Sequence, residues 1–81
     1  MLRIYGSMLC PDCVECREAL DKAKVEYEFY DFFSELKNLK EFLKFRDSSS
    51  LFDQARAEGN IGIPCIVRED GSLTLSWEEF M

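Results

Sequence analysis

Eighty-one residues, 47% of them hydrophobic and including seven Phe, three Tyr and one Trp, describe one domain over residues 1–81 with a modest core. A disordered chain is poorer in aromatics, and ten basic against sixteen acidic residues (net charge −6) argue against nucleic-acid or anionic-membrane partners. The absence of histidine excludes imidazole acid–base catalysis, a Cys–His protease pair and imidazole metal ligation.

Leu2 to Tyr5 is an apolar run ended by Gly6 and predicts a short buried strand. It is too short for a signal segment or a membrane span, so the default expectation is a cytoplasmic protein. Pro11 to about Lys24 predicts a helix, with proline at its first position and Asp12, Glu15 and Glu18 near the positive end of its dipole. Val25 to Asp31 alternates, Val25, Tyr27 and Phe29 on one face and Glu26 and Glu28 on the other, as a strand with one dry face does. Ser34 offers an N-cap to a second helix whose apolar stripe is Leu36, Leu39 and Leu43, with Phe42 beside it. Asp47 to Ser50 ends that helix and caps a shorter one from about Leu51 to Glu58, closed by Gly59-Asn60. Cys65 to Arg68 and Leu73 to Leu75 form a hairpin around Asp70-Gly71. Ser76 and Glu79 make a capping box for a last helix that runs to Met81. The order β-α-β-α-(α)-β-β-α predicts an α/β domain: a mixed sheet of four strands flanked by helices, its first two strands parallel.

Four cysteines in a cytosolic chain point to catalysis or metal binding before structural disulfides. Three of them fall within seven residues, and a loop that small restricts the unfolded chain little when closed. Cys10-Pro11-Asp12-Cys13 lies between the first strand and the first helix. A sulfur at a helix N-terminus faces unpaired backbone N–H groups and the positive dipole end, and both favour thiolate over thiol. Cys10 is thereby the attacking sulfur, and Cys13, one turn further in on the same face, resolves a mixed disulfide formed on it.

Over essentially its whole length the chain resembles the glutaredoxins, which have the thioredoxin fold. The likeness rests on Cys10-Pro-Asp-Cys13 after the first strand, on the element order, and on Ile63-Pro64 opening the third strand. The resemblance implies a thioredoxin-like fold and a thiol–disulfide oxidoreductase for protein disulfides or low-molecular-weight mixed disulfides. It also implies a cis Pro64 beside the nucleophile and an Ile63 whose backbone pairs with substrate. Pro11, Asp12, Ser76, Trp77 and Glu79 complete the substrate or glutathione site it implies. Three positions depart from the family pattern. Ser7-Met8-Leu9 stands where a basic residue precedes the first cysteine, Asp12 stands for an aromatic, and Ser76-Trp77-Glu78-Glu79 stands for a Gly-Gly-x-Asp stretch. By the same resemblance Arg46 and Arg56 lie on the side that holds the glutathione glycyl carboxylate, although both also read as solvated helix residues.

Cys16 extends the motif to a third cysteine at the same spacing, and Cys65 follows Pro64. Both read first as small buried residues and second as extra resolving thiols. A competing reading joins Cys10, Cys13, Cys16 and Cys65 into a four-sulfur set that carries zinc or an iron–sulfur cluster. The redox reading expects no metal and no bound cofactor. It expects glutathione or another thiol as electron donor, a disulfide-bearing protein or small thiol as substrate, a reductase as a further partner, and a monomer.

Overall fold

The computed structural model describes residues 1–81. Strand β1 (Leu2–Gly6) leads into helix α1 (Pro11–Lys22), strand β2 (Tyr27–Asp31) and helix α2 (Leu36–Ser48). A 3₁₀ turn (Ser50–Phe52) runs into helix α3 (Asp53–Glu58), followed by β3 (Cys65–Val67), β4 (Leu73–Thr74) and a closing 3₁₀ turn (Trp77–Phe80). The four strands form one mixed sheet in the order β2-β1-β3-β4. β1 and β2 are parallel, with Leu2 beside Tyr27 and Gly6 beside Asp31. β3 is antiparallel to β1, with Tyr5 opposite Cys65, and β4 returns along β3 as a hairpin. The expected α/β class, the mixed four-stranded sheet and the parallel first pair are therefore present.

Alternation along β1 and β3 divides the core between the two faces of the sheet. Leu2, Ile4 and Ile66 face α1, where Cys16 and Leu20 meet them and Trp77 and Phe80 close the edge. Tyr5, Cys65 and Val67 face the other way and pack with Phe32, Phe42 and Phe52. The rings of Phe42 and Phe52 meet edge to face at 5.7 Å, a geometry the aromatic quadrupole favours.

Several boundaries and faces differ from expectation. α1 stops at Lys22 because Lys24 adopts a left-handed conformation (φ 60°). Val25 N–H then donates to Leu20 C=O and Lys24 N–H to Asp21 C=O, a Schellman closure without the usual glycine. Val25 is consumed in that turn, so β2 begins at Tyr27 rather than Val25. Ser34 does not cap α2: its hydroxyl donates to Asp31 C=O, and Glu35 holds the cap position with no side-chain bond. The inward face of α2 is Asn38 and Phe42, while Leu36 and Leu43 are exposed. Asn38 Nδ2 donates to Asp31 C=O at 2.9 Å on this inward face, and Leu39 of the expected stripe packs against the same core as Phe42. The helix also runs through Asp47 to Ser48, and Ser49 Oγ accepts from Leu51 N–H to start the next turn.

The predicted last helix is a single 3₁₀ turn, and the capping box does not form. Ser76 Oγ donates to Glu78 instead, and Glu79 is drawn away by Arg68 and Thr74 Oγ1. With no side-chain cap at its start, the segment stays a single 3₁₀ turn, since a helical nucleus is costly to form.

Candidate functional site

The Ser7–Cys10 turn presents the first cysteine. Ser7 is buried beyond the carboxyl end of β1; its Oγ accepts from Leu9 N–H at 3.0 Å and its carbonyl from Cys10 N–H at 3.1 Å. Cys10 is the N-cap residue of α1, in extended conformation, and its carbonyl accepts from Val14 N–H. Its sulfur-bearing side chain is free of any capping bond and lines an open cleft of about 580 Å³. Asp12 lines the same cleft. Leu51 of the 3₁₀ turn and Gln54, Ala55 and Glu58 of α3 line it as well, together with the Gly59–Ile63 rim and Leu75.

Cys13 sits behind Cys10 with no exposed surface, against the end of β1. Its packing is so close that a Cβ on Gly6 would lie 2.6 Å from Cys13 Sγ, which explains the glycine. Burial pushes the Cys13 thiol up to about 12, and the hydrogen bond it shares with the Cys10 sulfur adds to the rise. A backbone hydrogen bond from Ser7 pulls the other way without cancelling it. The pair is therefore asymmetric: one accessible sulfur, and one protonated sulfur directly behind it. All four cysteines are free thiols.

Cys16 and Cys65 do not join them. Cys16 is buried on the α1 face of the sheet beside Leu2 and Leu20, and burial raises its thiol to about 11. Cys65 is buried on the opposite face among Tyr5 and Phe42, and burial raises it to about 12. The sheet separates the two. No group of three or more Cys, Asp or Glu side chains is disposed to hold a metal ion, so the four-sulfur carrier set does not exist in this fold.

Of the other expected site residues, Ile63 lines the cleft with Cys10. Its peptide bond to Pro64 is cis, and its own backbone N–H and C=O take no hydrogen bond within the chain. Pro11 is exposed at the start of α1, and Pro64 is buried behind the rim. Ser76, Trp77 and Glu79 are outside the cleft lining. Trp77 packs on the α1-side core, and Glu79 pairs with Arg68 at 2.6 Å. Arg46 Nε and Nη2 donate to the carbonyls of Ile61 and Asn60 and tie the rim to α2, Arg56 bonds the Arg46 carbonyl and Asp53, and neither arginine lines the cleft.

Ser7, Gln54, Glu58, Gly62 and Leu75 belong to this site without having been expected there. Only Gly62 left a trace in the sequence, as a glycine just before Ile63-Pro64. It takes φ 93°, and a Cβ there would lie 2.6 Å from the Phe52 ring.

No helix is long and apolar enough to cross a membrane. No protein-family model matches the sequence, and no solved structure matches it either. An uncharacterized protein of Haemophilus influenzae is 38% identical over 72 residues, an alignment that spans 89% of this chain and 84% of that protein. At that identity and coverage, the chain belongs to the same family as the Haemophilus influenzae protein.

Proposed function

We propose that this protein is a thiol–disulfide oxidoreductase of the glutaredoxin type, built on a thioredoxin-like fold. The observation that carries the reading is the asymmetric pair: Cys10 opens into a cleft at the start of α1, and Cys13 is buried and protonated behind it. A reductant needs one sulfur that reaches substrate and a second that waits within bonding reach. The unpaired Ile63 backbone on the cleft wall supports it further, because an extended substrate segment can take both hydrogen bonds.

In the forward direction the Cys10 thiolate attacks one sulfur of the substrate disulfide. A Cys10–substrate disulfide forms and the other substrate sulfur leaves as thiolate. Cys13, losing its proton to solvent or to that leaving thiolate, attacks the Cys10 sulfur and expels the second substrate thiolate. Two electrons pass from the dithiol to the substrate, leaving a Cys10–Cys13 disulfide. An external thiol, glutathione or a dithiol reductant, returns the pair to its reduced form.

Intact-mass measurement across a series of thiol redox buffers tests this. The expected result is reversible loss of two protons, mapped to Cys10 and Cys13. Cys10→Ser is expected to abolish exchange, and Cys13→Ser to accumulate a mixed disulfide on Cys10. A Cys10→Ser protein that still turns over disulfides would overturn the proposal.

A further inference from the structure

The charge of the cleft bears on what enters it, given the redox reading above. Its lining contains two carboxylates, Asp12 at the start of α1 and Glu58 at the end of α3, and no basic side chain. Arg46 and Arg56, the two arginines of α2 and α3, are committed to the Asn60, Ile61 and Arg46 carbonyls and to Asp53. The rest of the lining is apolar or neutral, including Leu51, Ile61, Ile63 and Leu75. Glutathione, with two carboxylates against one ammonium, meets like charge from both carboxylates of the lining and no cation among the lining residues.

We infer that the cleft selects disulfides in extended peptide segments with a basic residue beside the half-cystine, and disfavours anionic thiols such as glutathione. Glu58 is the specificity-determining residue. It lines the cleft from the end of α3, a different element from the one that carries the thiols, so it acts on the charge of the substrate's flanking residue rather than on the reacting sulfur. Asp12 contributes in the same sense but lies too close to the thiols to separate the two effects. The chemistry is dithiol exchange: two electrons and two protons leave the Cys10–Cys13 dithiol and reduce the peptide disulfide to two thiols.

The test is single-turnover oxidation of the reduced protein by symmetric peptide disulfides that differ only in the residue beside cysteine: Lys, Gln or Glu, with oxidised glutathione as a fourth probe. The dithiol supplies both electrons, so no other reductant is added. The Lys peptide is expected to react on the order of threefold faster than the Glu peptide at low ionic strength, the scale of exposed charge pairs. The gap should close in about 1 M salt, where the Debye length is about 3 Å. Glu58→Lys is expected to reverse the order of the Lys and Glu peptides. Glu26→Lys makes the same change in net charge next to the opposite end of β1, where β2 begins, and is expected to preserve the order. Equal rates for all peptides, or an order that Glu26→Lys shifts as much as Glu58→Lys does, would overturn the inference while leaving the redox function standing. Failure of every probe to form the Cys10–Cys13 disulfide would bring down both.

Discussion

Cys10 and Cys13 differ by one helical turn in sequence and by their whole environment in space, and the same division runs through all four thiols. Cys10 meets the cleft, whereas Cys13, Cys16 and Cys65 are buried and raised to about 12, 11 and 12 from an ordinary value near 9. Burial disfavours the charged thiolate, so these three stay protonated in the folded chain where the unfolded chain would ionise them. The sign follows. A raised folded-state value gives stability that is fully present below about pH 9 and is lost as pH climbs toward 11–12. Urea unfolding midpoints compared at about pH 8 and about pH 10.5 should therefore fall more in the wild type than in Cys65→Ala, whose buried thiol is gone. Equal losses would show that Cys65 ionises as freely folded as unfolded.

Among the elements, the Ser7–Cys10 turn and the Gly59–Pro64 segment do the positioning, and each depends on a close approach. Gly6 lets Cys13 Sγ press against the end of β1, and Gly62 lets the rim pass over the Phe52 ring in a left-handed conformation. An added methyl must displace a buried sulfur in the first case and a buried ring in the second. Gly6→Ala and Gly62→Ala are each expected to cost about 1–3 kcal/mol of stability by chemical denaturation. Gly62→Ala carries the φ penalty as well and should be the more costly. Asn38 works at the same scale: its side-chain amide, bound to the Asp31 carbonyl, is buried beside Phe42 on the inward face of α2, where a reading by apolar spacing alone places Leu36 and Leu43.

The whole molecule is one sheet with a core on each side, and the two cores share the backbone of β1 and β3. A cavity on either side loosens the strands that both sides use. Phe42→Ala on the α2 face should lower the unfolding free energy by about 3–5 kcal/mol, and Leu20→Ala on the α1 face by about 2–5 kcal/mol. Each should give a single transition that coincides by near-ultraviolet and far-ultraviolet circular dichroism. Separate transitions for the two faces would show that they unfold independently. Because small domains have only about 5–15 kcal/mol in total, either variant should bring the midpoint down sharply.

Local rules accounted for the order of elements through β4, the parallel and hairpin pairings, and the position of Cys10 at a helix start. Each of these is written in short-range signals: a strand-length apolar run, a proline at a first helical turn, Asp70-Gly71 between two short strands. The same rules missed the end of α1, because a lysine there takes the conformation usually left to glycine. They also missed the face of α2 and the fate of Ser76 and Glu79, since Asn38 and Arg68 compete for groups that a local reading assigns to caps. Four cysteines in sequence left a metal set open. Only the pleat of β3 decided it, by turning Cys65 to the face of the sheet opposite Cys16. The cleft, too, is a tertiary object: Glu58 and Leu75 are far from Cys10 in the chain, and the folded sheet and helices bring all three to one cleft. Spacing along a chain determines which face of its own element a residue occupies. Which other elements that face meets is settled by packing, and here packing supplied the charge of the cleft.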